Sequence, residues 1–254
     1  MPVIFLSHGS PMLPFEPVPA RDFLRGLAAR LPRPQAILVM SAHWEETRPH
    51  VGTAAHPETI HDFYGFPQQL YDLTYPAPGA PEQGRRAVEL LGAAGWDPGV
   101  DSGRGLDHGA WVPLLLAYPA AAIPVFQVSL LRDGDSRAHL ALGAALAPLR
   151  EEGVLIIGSG GAVHNLRDRG RTGEPPAPWA AGYEAWLRSH VEAGDRDGLL
   201  AHAGRPDDRL AHPGPDHLMP LFAALGAAEG EERGVTLHSS FTHRNLAMTA
   251  FRWG

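Results

Sequence analysis

Pro2-Val3-Ile4-Phe5-Leu6-Ser7-His8-Gly9-Ser10-Pro11 is a short apolar run that ends in a histidine and a turn. The same design recurs at Ala36-Ile37-Leu38-Val39-Met40-Ser41-Ala42-His43-Trp44. It recurs again at Val154-Leu155-Ile156-Ile157-Gly158-Ser159-Gly160-Gly161-Ala162-Val163-His164. An apolar run without polar alternation reads as a strand buried on both faces, the pattern of a parallel sheet. Gly and Pro just beyond it break strand and helix alike. Three strands therefore deliver a histidine at or past their C-terminal ends, the edge where open α/β sheets bind ligands. Three imidazoles converging there point to a metal site.

Between these runs the pattern changes period. Helical spacing over 19–31, stopped by Pro32 and Pro34, links strands 3–7 and 36–42 as a βαβ unit. Further helices are expected over 81–94, from Asp107-His108 to about Tyr118, over 135–150, 180–193 and 195–203, and from the His212–His217 turn to about Ala228. Further strands are expected near 98–102, 124–130, 234–241 and 245–251. Asp107 is placed to cap the helix that starts at His108. Residues 45–80 read as irregular and rich in aromatics and prolines, and a long loop of that kind is usually functional. Phe63, Tyr64 and Phe66 are read as walls of a pocket for a flat ligand, with core packing as the competing reading. The expected architecture is one α/β domain spanning 1–254. It has a mostly parallel central sheet flanked by helices and a metal site at the C-terminal ends of the strands.

Composition narrows the chemistry. The 254 residues suffice for one well-buried core. A net charge of -7 with no basic run disfavours nucleic acid and anionic membrane as partners. No cysteine is present, which excludes disulfides, thiolate zinc sites, iron–sulfur clusters and cysteine nucleophiles. The chain also lacks lysine, which excludes lysine Schiff bases and a Walker-type phosphate site. No signal peptide or membrane span is read, so a cytoplasmic protein is expected. The apolar strands after residue 234 are a candidate interface for a homo-oligomer.

Fourteen histidines stand out. A surface scattering accounts for His50, His139, His190 and His202. It does not account for His8, His43, His108, His164 and His217, which sit in turns rich in Gly, Ser or Pro. An all-imidazole site favours zinc and hydrolysis, whereas two histidines with one carboxylate favour Fe(II) and oxygen chemistry. Spacing does not separate the two. Ser7, Ser10 and Ser41 lie near histidines, but no G-x-S-x-G elbow is present. The glycines at 158, 160 and 161 lack a dinucleotide fingerprint and read as allowing close backbone approach to the site.

Taken together and in order, His8-Gly9-Ser10-Pro11-Met12, Ser41-Ala42-His43-Trp44, Ile60-His61-Asp62-Phe63-Tyr64-Gly65-Phe66-Pro67, Asp107-His108-Gly109-Ala110-Trp111, Val163-His164-Asn165-Leu166 and Pro213-Gly214-Pro215-Asp216-His217 carry a resemblance. The chain resembles the class III extradiol ring-cleavage dioxygenases, within them the 4,5-DOPA dioxygenase-like branch. The resemblance implies a mononuclear divalent metal, with Fe(II) for activity and Zn(II) as a form in which some members are isolated. By position His8, His43 and His217 match the metal ligands. His217 stands where better-known relatives have a glutamate. His164 matches the acid/base histidine and is also within the implied metal set. His108 matches a second catalytic histidine beside the substrate.

The implied reaction opens a DOPA-like catechol with O2 to a semialdehyde acid. Phe63, Tyr64 and Trp111 would flank the ring, and His61 or an arginine would meet a substrate carboxylate. The rival readings are a zinc hydrolase on the same ligands and a non-enzymatic metal-binding interaction protein.

Overall fold

The computed structural model describes residues 1–228 and 233–254. Six strands form the central sheet: β1 (Val3–Ser7), β2 (Ala36–Ser41), β3 (Val125–Gln127), β4 (Val154–Gly160), β5 (Val235–His238) and β6 (Ala250–Trp253). Their spatial order is β3-β2-β4-β1-β6-β5. The first four run parallel, and β6 and β5 close the sheet antiparallel. The three strands that carry the decisive histidines are thus neighbours. The register aligns Ser7 with Gly160 and Ser41 with Ser159, so all three strands end level. Everything that follows them emerges at one edge.

Alternate residues of each strand enter opposite cores, as the period of two requires. Val3, Phe5, Leu38, Met40 and Ile156 face one core with helices α2 (Pro81–Ala93), α4 (Ser136–Leu146), α5 (Pro178–Ala193) and α6 (Met219–Ala227). Ile4, Leu6, Val39 and Ile157 face the other with α1 (Pro19–Arg25) and α3 (His108–Ala117). The result is a single α/β domain with helices on both faces. Among the described residues no helix is long and apolar enough to cross a membrane.

Helix α6 sits unusually close to β4, and glycine explains it. A Cβ at Gly158 would lie 2.2 Å from the Pro220 carbonyl oxygen, and one at Gly160 would lie 2.2 Å from that of His217. The main chain at Gly161 donates to the His217 carbonyl at 2.8 Å. The glycines of β4 therefore let the segment bearing His217 close onto the strand end. On the other side, His164 N–H donates to the Ala211 carbonyl, and Asn165 Nδ2 donates to that of Leu210.

Several expectations needed correction. The helix expected over 19–31 stops at Arg25 and resumes as a 3-10 turn over Ala28–Arg30, and the one over 135–150 ends at Leu146 before a 3-10 turn containing Pro148. The strand expected near 98–102 is Gly99–Asp101, but it pairs with His50–Gly52 outside the main sheet. Residues 45–80 are less irregular than read, because Glu45–Glu46 and His50–Gly52 are short strands and Gln68–Tyr71 is a helical turn. The final helix starts at Met219, not in the His212–His217 turn. The run 245–251 divides into Leu246–Ala247, paired with Phe241–Thr242, and β6.

His139 and His202 are not surface histidines. His139 is fully buried, its Nδ1 donating to the Asp135 carbonyl while its Nε2 accepts from the Leu131 amide. His202 is buried with Nδ1 2.9 Å from an Asp208 carboxylate oxygen. Both rings satisfy polar groups inside the fold.

Two outcomes test this packing. Gly158→Ala drives a Cβ into the Pro220 carbonyl, and overpacking against rigid backbone lowers stability by about 2–3 kcal/mol in urea unfolding. His212 supplies the second. It is buried, its Nε2 donates to the Ala162 carbonyl, and burial lowers its pKa from 6.5 to about 4. The unfolded chain takes up this proton near pH 6.5 and the folded chain only near pH 4. The stability it contributes is therefore complete above pH 6.5 and is lost as pH falls toward 4, to a total of about 3 kcal/mol. His212→Gln keeps an amide donor and flattens that part of the stability–pH curve.

Candidate metal centre

The level strand ends bring five imidazoles together. His8 follows β1, His43 follows β2, His108 opens α3, His164 follows β4, and His217 precedes α6. Ring centroids of His8 lie 4.9 Å from His43, 5.4 Å from His108 and 5.3 Å from His217. His164 stacks on His217 at 3.5 Å with the planes 4° apart. Among the described residues, the ligand nitrogens of His8, His43 and His108 all lie within 4.8 Å of one another. The sequence reading places His8, His43 and His217, with His164, in the metal set; by distance His108 is a further candidate ligand. His217 adjoins both His8 and His43, its ring 5.0 Å from that of His43.

Hydrogen bonds on the far side of each ring decide which nitrogen faces inward. Ser159 Oγ donates to the Gly109 carbonyl at 2.5 Å, so its oxygen is an acceptor for His8 Nδ1 at 3.0 Å. His8 Nδ1 therefore carries the proton, and Nε2 turns a bare lone pair toward the cluster. The Asp216 carboxylate does the same for His217 Nδ1. His108 is braced by Asp62, which accepts from its main-chain N–H at 3.0 Å and approaches its Nδ1 to 3.0 Å. Carboxylates and hydroxyls behind imidazoles are the usual supports of metal-ligating histidines.

The electrostatics agree with a ligand set. Burial first, then the neighbouring imidazoles, hold His8 and His217 well below the ordinary histidine range. Burial lowers His43 to about 4, with His108 adding to the effect, and burial lowers His164 to about 4. These rings are neutral at pH 7, the form that binds a metal. Burial works to raise the Asp62 carboxyl, but hydrogen bonds from His108 outweigh it and hold it below the usual carboxylate range. His8 Nε2 and His43 Nε2 stand 3.0 Å apart, close to the spacing of two nitrogens held by one ion at about 2.1 Å. The cluster can hold a metal ion.

A cavity of about 200 Å³ opens above the cluster, walled by His8, Gly9, Ser10, Pro11, His43, Phe63, Phe66, His108, His164, Leu166, Arg169, His217, His243 and Leu246. Phe63 and Phe66 wall it as the sequence suggested. Tyr64 does not: it precedes Gly65, whose positive φ turns the chain, and its side chain is 92 % exposed. Trp111 and His61 stand behind the wall. Trp111 is fully buried in the core under α3 and donates to the Ile60 carbonyl. His61 Nε2 pairs with the Leu73 carbonyl, and its ring packs edge-on against Phe63 and Trp111. Both support Phe63. Ser7 and Ser41 are also structural, donating to the Thr249 carbonyl and to the Asp107 carboxylate.

Sequence reasoning missed Leu166, Arg169, His243 and Leu246 in the wall. It also missed Asp62 and Ser159 as supports. Asp62 carried a signal, lying between two residues already singled out. Ser159 lay in a strand read only for its glycines.

The chain resembles known proteins along nearly its whole length. Residues 2–252 match the model of the catalytic LigB subunit of aromatic ring-opening dioxygenase. A 4,5-DOPA dioxygenase extradiol of Beta vulgaris is 43 % identical over 93 % of this chain and 90 % of its own. One of Escherichia coli K12 is 41 % identical over 91 % of this chain and 87 % of its own. An uncharacterized Escherichia coli K12 protein of known crystal structure superposes with a TM-score of 0.84. It is 32 % identical, with all of both chains covered.

The supports make a direct prediction. Asp216→Ala frees the His217 ring to turn and lowers zinc affinity about 10- to 100-fold in competition with a chromophoric chelator. An affinity equal to that of the unsubstituted protein would remove Asp216 from the site.

Proposed function

The chain belongs to the family of the catalytic LigB subunit of aromatic ring-opening dioxygenases, and we propose that residues 1–254 act as one catalytic domain on a DOPA-like catechol. It is an extradiol ring-cleavage dioxygenase, an oxidoreductase. The observation that carries the finer reading is the cluster of imidazoles, with His8, His43, His164 and His217 held neutral, at the floor of an otherwise largely apolar cavity. Such a floor suits a divalent cation, and such walls suit a flat aromatic ring.

In this reading His8, His43 and His217 would hold the ion, and His108, with a ring nitrogen within 4.8 Å of those of His8 and His43, would stand within reach of it. Fe(II), when bound, supplies the redox centre at which a catechol's two hydroxyls and O2 are brought together. Zn(II) fits the same nitrogen donors and would occupy them without supporting oxygen chemistry. Both oxygen atoms of O2 end in the product, and the ring carbon–carbon bond beside the diol breaks.

The protein's own groups move the protons and exclude water. His164 is a neutral base at pH 7 and takes a phenolic proton, which it returns as the ring opens. Stacking on His217 fixes its plane. His108, held by Asp62, would donate a hydrogen bond to a substrate hydroxyl. Phe63 and Phe66 flank the ring and keep the reaction dry. The plant and bacterial relatives named for 4,5-DOPA support a catechol with a short side chain.

Oxygen uptake tests this. Anaerobically iron-loaded protein consumes one O2 per catechol and forms a yellow product. His164→Ala retains its iron but lowers kcat about 100-fold or more, and zinc-loaded protein consumes none. Iron-replete protein that consumes no O2 with any catechol would overturn the reading.

A further inference from the structure

The cavity wall changes character with depth. His8 and His217 at the floor are 1 % and 6 % exposed, whereas Leu166 at the rim is 55 % exposed and Arg169 beside it is also exposed. Arg169 is the one wall residue that carries a fixed charge. Among the described residues it has no hydrogen-bond or ion-pair partner. Its neighbour Asp168 faces Arg244 instead, at 3.8 Å. Among the described residues no Asp or Glu is part of the wall. An anion at this rim meets a free guanidinium, whereas the carboxylates of Asp168 and Glu174 lie close by but outside the wall.

His243 reaches the same wall by a conformation that L residues seldom adopt. Its φ is +49° and that of Arg244 is +69°. The surroundings impose it. Gly170 N–H donates to the His243 carbonyl, Ala177 N–H donates to that of Arg244, and Asn245 Nδ2 donates to the carbonyls of Asn165 and Asp168. These bonds lock the hairpin turn onto the 165–170 segment that carries Arg169. Among the described residues the His243 ring makes one distant contact, Nε2 to Thr172 Oγ1 at 3.4 Å, so that this edge of the ring is only weakly engaged. Backbone held in a sparsely populated region beside a cavity is a place where ligand contacts concentrate.

We infer that Arg169 and His243 form an anion-binding rim that selects catechols bearing a side-chain carboxylate and no ammonium group. The statement about turnover rests on the ring-cleavage reading; the statement about binding does not. A guanidinium recognises a carboxylate by a forked pair of hydrogen bonds. The des-amino acid 3-(3,4-dihydroxyphenyl)propionate fits this rim better than DOPA, whose ammonium group lies next to the carboxylate and meets no acid in the wall.

Four catechols that share the ring separate the contributions: 3-(3,4-dihydroxyphenyl)propionate, DOPA, dopamine and 4-ethylcatechol. Calorimetry on zinc-loaded protein reads binding without turnover, and kcat/KM on iron-loaded protein reads selection. The propionate binds about tenfold more tightly than DOPA or 4-ethylcatechol, and dopamine binds most weakly. Arg169→Ala brings the ratio of propionate to 4-ethylcatechol affinity close to one. Arg169→Lys retains part of it, and His243→Asn, which tolerates the left-handed backbone, narrows it. DOPA binding as tightly as the propionate, or a ratio unmoved by Arg169→Ala, would overturn the inference. If catechols bind with this preference but iron-loaded protein consumes no O2, the ring-cleavage reading fails and the rim stands.

Discussion

A single buried carboxylate fixes the geometry on which the site depends. Asp107 has no exposure to solvent, and it accepts hydrogen bonds from Ser41 Oγ at 2.6 Å, Gln127 Nε2 at 2.8 Å, Arg104 Nη2 at 3.2 Å and Ala110 N–H. An unpaired charge at such depth costs several kcal/mol, and this one is tolerated because its lone pairs are filled. Three of the donors come from the end of β2, the end of β3 and the first turn of α3, and Arg104 comes from the loop before α3. One anion thus draws together three elements that meet at the C-terminal edge of the sheet. Ser41 Oγ also accepts from the His43 main chain, and His108 is the residue after Asp107. The placement of both histidines follows from that convergence.

Gathering neutral imidazoles under a lid of apolar residues has a cost of its own. The rings of His8, His43, His164 and His217 forgo solvation and a proton, and imidazoles packed within about 5 Å resist protonation together. A cation inverts that balance, because it uses the lone pairs that burial has stripped of protons. Metal binding is then coupled to the stability of this edge of the fold. The supports Ser159, Asp216 and Asp62 orient the donors beforehand, so that little ordering is left for the binding step.

The sheet was legible because its strands are continuous apolar runs, and the histidines because each follows such a run directly. What escaped was set by distant partners. Asp107 was readable as a helix cap, which needs only the N–H three residues on. Its role as an anionic hub needs Ser41 and Gln127, 66 and 20 residues away. Trp111 lies on a helix buried almost all round, so periodicity could not say which way it points. His139 and His202 were read as surface residues from polarity alone, but their ring nitrogens answer local groups, the Asp135 carbonyl and the Asp208 carboxylate. His243 gave no local signal, since no glycine or asparagine stands at its left-handed position.

The central claim is that these imidazoles share one ion. X-ray absorption at the zinc edge, on protein loaded with one equivalent, tests it most directly. The account predicts at least three imidazole nitrogens at about 2.0–2.1 Å, with the multiple-scattering signature of rings. A shell of oxygens alone, or zinc whose spectrum is unchanged in His8→Ala and His43→Ala proteins, would contradict it.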